Sequence, residues 1–136
     1  MTDDANNDTE SPLNAKPLFT VAAVFNAIVG FGILFAYKLL APQLGFSPQP
    51  TVWIHIVALI VLVFGYAYWR IANDPVRFRE YIVLGVVAKL AFVVVIYGHY
   101  LAGDATASLA ALVTADLIFA GLFSAYLKGA PADGGR

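Results

Sequence analysis

The stretch from Tyr81 to Leu101, YIVLGVVAKLAFVVVIYGHYL, is an apolar run of 21 residues that carries one charge, Lys89, well inside it. A helix rises about 1.5 Å per residue and the hydrocarbon core of a bilayer is about 30 Å thick, so about 20 mostly apolar residues can cross it. In lipid every backbone N–H and C=O must be satisfied within the segment, which makes a helix of this run despite its many Val and Ile residues. A lysine at such depth costs about 2.5–3.5 kcal/mol on insertion scales unless its ammonium reaches the interface or finds a partner.

The rest of the chain belongs to the same solvent. Of its 136 residues 60% are hydrophobic and 12% charged, with a mean hydropathy of +0.76, too little polar surface for a soluble domain of this size. Cysteine is absent, which excludes disulfides and thiolate chemistry, and a net charge of −1 gives no footprint for nucleic acid. The opening MTDDANNDTESP is acidic where a secretory signal would be basic, and the first apolar run is too long for a signal core, so it is expected to stay as a span.

Four spans are predicted, at about 18–40, 52–71, 79–102 and 107–127, in an all-α, up-down four-helix transmembrane bundle over residues 18–128. Residues 1–17 have almost nothing to bury and read as a disordered tail, and residues 129–136 as a flexible one. In span one Ala22, Asn26 and Gly30 recur every four residues, a small and polar stripe that lets another helix approach. Ala41 to Thr51 holds three prolines and reads as a loop, with Thr51 able to cap span two. Asp74-Pro75 reads as an N-cap followed by the first residue of the third helix, which runs amphipathically into the membrane ahead of its span. Span three breaks at Gly103, and Thr106 or Ser108 can cap span four, where Ala107, Ala111 and Ala115, and separately Gly121 and Ala125, are spaced for close helix contact.

Basic residues flank the spans unevenly. Lys16, Arg70, Arg77, Arg79, Lys128 and Arg136 fall on one side and Lys38 on the other, so the termini and the Arg-rich connection are expected in the cytoplasm, with the chain multi-pass in the plasma (inner) membrane. Counted from that side, Asn26 and Lys89 lie about 12 Å deep, Asp116 about 16 Å and Tyr66 about 8 Å. Lys89 and Asp116, on consecutive antiparallel spans, can therefore meet, with Asn26 able to hydrogen-bond either and Tyr66 within reach. Gly85, one turn before Lys89, makes room on that face. Such a pair either fixes which helices pack or lines a polar pocket for a lipid headgroup, a quinone-like molecule or a proton-coupled substrate; in a third reading Lys89 snorkels.

His55 and His99 lie near the outer ends of spans two and three and form a second candidate set, for a metal or haem, though beside Trp53, Tyr97 and Tyr100 they equally suit an aromatic belt. Arg70, Arg77 and Arg79 suit orientation and anionic headgroups. No phosphate loop, catalytic triad or long repeat is present, and nothing in the residues identifies a cofactor or a catalytic role.

Taken together, Phe25-Asn26 with Gly30, Gly65-Tyr66, Asn73-Asp74-Pro75, Gly85 with Lys89, and Asp116-Leu117-Ile118-Phe119 resemble small bacterial four-span membrane proteins of the DoxX-like type, over about Leu18 to Leu127. The resemblance implies the four-helix fold and the polar trio, and no activity. The chain is also similar in size and span count to small multidrug-resistance transporters, but where those carry an essential glutamate in span one it has Asn26. The leading expectation is a non-catalytic membrane protein, a small-ligand-binding, lipid-binding or accessory subunit organised by Asn26, Lys89 and Asp116, alone or in a larger membrane complex. The alternatives are a proton- or ion-coupled transporter working as a homo-oligomer and a haem- or quinone-linked redox subunit using His55 and His99.

Overall fold

The computed structural model describes residues 13–47 and 52–130, and their regular structure is entirely helical: α1 (Ala15–Phe35), α2 (Tyr37–Leu44), α3 (Val52–Asn73), α4 (Arg79–Ala102) and α5 (Ala107–Gly129). α1, α3, α4 and α5 are each long and apolar enough to cross a bilayer, and they form an all-α four-helix membrane bundle. One end of the bundle, here the terminal end, carries the start of α1, the α3–α4 turn and the end of α5. The other, the loop end, carries α2 and the α4–α5 turn.

Local chemistry sets the helix limits. α1 begins at Ala15, inside the expected tail, because the Asn14 side chain accepts a hydrogen bond from the Lys16 amide at 3.2 Å; Pro17 is tolerated there because the first turn has no intrahelical use for its N–H. Residues 1–12 of that expected tail lie outside the described residues. The first span does not run to Leu40. It leaves helical geometry at Ala36 (φ −110°, ψ 23°), and α2 follows in a new direction, occupying the start of the expected loop. The Tyr37 hydroxyl donates to the Ser47 carbonyl at 2.6 Å and its ring stacks on Phe46 at 6.4 Å, which folds α2 back over the loop end. Gly45 ends α2 at φ 77°, and the Phe46 amide closes the turn on the Ala41 carbonyl at 2.9 Å. The Thr51 cap falls outside the described residues.

The third span runs from 79 to 102 as expected, but the helix does not begin at Asp74-Pro75. The Asp74 carboxylate accepts from the Arg77 amide at 3.1 Å, so it caps a separate turn, and α4 begins only at Arg79. At the far end Gly103 turns the chain at φ 87°, and the Thr106 hydroxyl caps α5 by accepting from the Leu109 amide at 3.3 Å.

The bundle is two tight helix pairs, α1 with α3 and α4 with α5, that touch each other much less. The first pair closes over glycine. A Cβ on Gly65 would stand 3.2 Å from Asn26 Cβ and 3.3 Å from the Ala23 carbonyl, and one on Gly30 would press on Leu62 at 2.6 Å. The Ala22, Asn26 and Gly30 stripe is therefore the face that meets α3. On α5 the expected small-residue stripes face outward instead: Ala107, Ala111, Gly121 and Ala125 are exposed and Ala115 is half-buried, while Ala110, Val113, Ala120, Phe123 and Tyr126 turn inward.

At the terminal end rings interlock across the two pairs. Phe19 meets Phe123 at 4.7 Å and Tyr126 edge-on at 5.6 Å, and Tyr68 meets Phe123 edge-on at 5.2 Å, with Ile71 and Ile82 sealed beneath. Arg79 adds a guanidinium hydrogen bond to the Leu127 carbonyl at 3.1 Å, satisfying an end-of-helix acceptor on α5. At the loop end the Thr106 hydroxyl donates to the Leu44 carbonyl at 3.1 Å. The outer surface is apolar along the spans: Ile28, Phe31, Val63, Val87, Val94 and Ile118 are all exposed, an arrangement suited to acyl chains rather than water.

Candidate functional site

The site forms where the two helix pairs part above the ring layer. Asn26 on α1 enters because Gly65 on α3 has no side chain to block it, and its NH2 donates to the Val61 carbonyl at 3.2 Å. Lys89 on α4 is 4% exposed; its ammonium donates to the Asp116 carboxylate on α5 and lies 5.3 Å from the Tyr68 ring centre and 5.2 Å from that of Phe119. One carboxylate and two ring faces therefore surround the cation, which meets much of the desolvation cost of so deep a charge.

These side chains form one end of a cavity of about 130 Å³. Four of its lining residues are polar: Asn26, Tyr68, Lys89 and Asp116. By helix position all four line the side of the cavity nearer the terminal end, level with Phe25 and Ala88, whereas Ile33, Ile54, Ile96 and Leu109 line its opposite side beneath Leu44 and Phe46 of the α2 segment. The space is an apolar shaft with a polar floor.

The structure brings Asn26, Lys89 and Asp116 to the same cavity, but Asn26 bonds the α3 backbone rather than either charge. Its partner is a helix carbonyl because the α1–α3 seam is tight enough to put the amide against it. Tyr66 is not part of the site: it is 57% exposed and accepts a hydrogen bond from Arg70 Nη1 at 3.1 Å on the outer face. Tyr68 holds the place instead, because two residues along a helix turn the side chain by about 200°. Gly85 makes room for Tyr68, since a Cβ there would stand 2.9 Å from the ring and 3.1 Å from its hydroxyl. That glycine, one turn before the lysine, was the available signal; nothing in the sequence said which ring would use the space. Phe119, the second ring on Lys89, was equally unmarked.

The histidines stand apart from the floor. His99 faces Asp104 at 3.6 Å beyond the end of the shaft with its side chain 60% exposed, and His55 sits in the first turn of α3. Among the described residues no group of three or more His, Asp or Glu side chains could hold a metal ion. Tyr97 to Thr114 at 2.7 Å adds a further polar tie across the α4–α5 seam.

The fold and its lipid-suited surface define the class: a multi-pass integral membrane protein, built as a four-helix bundle with a polar-floored cavity. No protein family, curated protein or solved structure matches the chain.

Proposed function

We propose that the protein is a non-catalytic binding or accessory subunit of the plasma (inner) membrane that takes a small lipid-like or quinone-like molecule into this cavity, with both termini and the Arg70–Arg79 turn on the cytoplasmic side. The observation that carries the reading is the segregation of the lining, polar at the floor and apolar along the shaft. Pockets for small molecules are mostly apolar with a few converging polar groups, and ionisable residues within a membrane mark binding or transport sites more often than not. An apolar cavity of about 150 Å³ holds benzene, so this one suits a ring or a short stretch of chain. Arg70, Arg77 and Arg79, gathered at one end of the bundle, support the orientation.

Mass spectrometry of the protein released from native membranes is expected to show one retained small amphiphile in excess of its share of the bulk lipid. Val113→Phe, which puts a ring into the shaft, is expected to remove it. Recovery of lipids in bulk proportions from both forms would sink the reading.

A further inference from the structure

The floor has a polarity of its own, and it names the chemistry of the occupant. This inference rests on the binding reading above. The donors of the site are partly engaged: one N–H of the Asn26 amide goes to Val61, and the Lys89 ammonium gives one N–H to Asp116 and has the Tyr68 and Phe119 rings over it. The acceptors are not. Among the described residues no donor reaches the Asn26 amide oxygen or the second Asp116 carboxylate oxygen, and the Tyr68 hydroxyl has no hydrogen-bond partner. Asn26 is 6% exposed and Tyr68 1%, so bulk water does not serve them. The amide cannot be turned over, because the Val61 carbonyl accepts and so needs the NH2 facing it. Polar atoms left open in such a place are uncommon and call for a partner; the Asn26 and Asp116 oxygens are acceptors, the Tyr68 hydroxyl can take either role, and the second Asn26 N–H is a donor, so a hydroxyl, which both donates and accepts, suits them, with Asp116 22% exposed toward the cavity.

We infer that the cavity binds a neutral amphiphile whose head donates a hydrogen bond, a hydroxyl on either an aliphatic chain or an aromatic ring, to Asn26 and Asp116. Neutrality follows from the Lys89 and Asp116 charges, which cancel on site: an anionic head would compete with the carboxylate and a cationic one with the ammonium. The cavity holds the head and a few carbons. A longer tail leaves between α3 and α4, which pack little against each other and whose lining residues Val57, Val61, Phe92 and Ile96 are partly exposed.

The test uses the full chain in lipid nanodiscs with two photoreactive probes that share a diazirine-bearing alkyl chain, one ending in a hydroxyl and one in its methyl ether, and maps the labelled residues by peptide mass spectrometry. The alcohol is expected to label cavity residues such as Phe92 and Val113 saturably, with the ether about ten-fold weaker, the ratio expected for one buried hydrogen bond. Unlabelled dodecanol competing better than a short-chain hydroquinone identifies an aliphatic source, and the reverse an aromatic one. Asn26→Leu is expected to narrow the gap between the probes. Equal labelling by alcohol and ether overturns the donor inference and leaves the binding reading standing, whereas no cavity labelling by either means that ordered water alone fills the floor and overturns both. The wild-type comparison decides these outcomes even if Asn26→Leu does not fold.

Discussion

The two ends of the bundle solve the same packing problem differently. At the terminal end Phe19, Tyr68, Phe123 and Tyr126 fill the gap between the helix pairs with interlocking rings, and Arg79 ties α4 to the Leu127 carbonyl in the last turn of α5. At the loop end the pairs are bridged by the short α2 and by the Thr106 to Leu44 hydrogen bond, with the cavity beneath. Because lipid is as apolar as any core, helices in a bilayer gain little from hiding apolar surface and associate through close packing and polar contacts. A gap between them is thus tolerated where one end is locked, and the polar floor sits at the boundary between the locked and the open half.

The largest effect is expected at that boundary. Lys89→Ala or Asp116→Ala leaves one buried charge without its partner and should cost roughly 3–5 kcal/mol, seen as lost accumulation or a steep fall in thermal stability. Replacing both together, Lys89→Met with Asp116→Leu, should recover most of that loss. If the double change is as unstable as either single one, the two residues are not energetic partners. The contrast between the ends comes next. Phe123→Ala should cost about 3 kcal/mol in a detergent unfolding titration, and Phe92→Ala, on the cavity wall, less than about 1.5 kcal/mol. Equal losses would erase the distinction between a packed and an open half.

Glycine refines it further. Gly85→Ala drives a methyl against Tyr68 and should destabilise by about 1–3 kcal/mol. Gly98→Ala, on the same helix, meets nothing within 4 Å and should stabilise by about 0.5–1 kcal/mol. Of similar small size is Thr106→Ala, which removes both the α5 cap and the bond to Leu44 and should lower the melting temperature by the equivalent of about 1 kcal/mol. A shift larger than that of Phe123→Ala would mean that the loop end, not the ring layer, holds the pairs together.

Some of this was legible without coordinates and some was not. Tyr81 to Leu101 had to be a helix, and Gly103 and Thr106 carried their turn and cap chemistry openly. The end of α1 at Ala36 was hidden, because Ala36, Tyr37 and Lys38 are ordinary helix residues and the turn depends on Tyr37 finding Ser47 and Phe46. The exchange of Tyr66 for Tyr68, the outward face of Ala107 and Ala111, and the turning of Asn26 toward Val61 were hidden for one shared reason. In water the apolar stripe of a helix marks its inner face; in lipid both faces are apolar, and the stripe that would report rotation is missing.

The number of crossings and their helical state follow from the order of residues alone, because a bilayer allows an isolated apolar run of about 20 residues no other way to satisfy its backbone. Packing between the helices sets how far each one is rotated about its axis, and therefore which ring covers Lys89, which acceptors remain open, and where the helix pairs part to leave a cavity. Those choices rest on contacts of a few ångströms at Gly30, Gly65 and Gly85, where the absence of one carbon sets how closely a neighbouring side chain can approach.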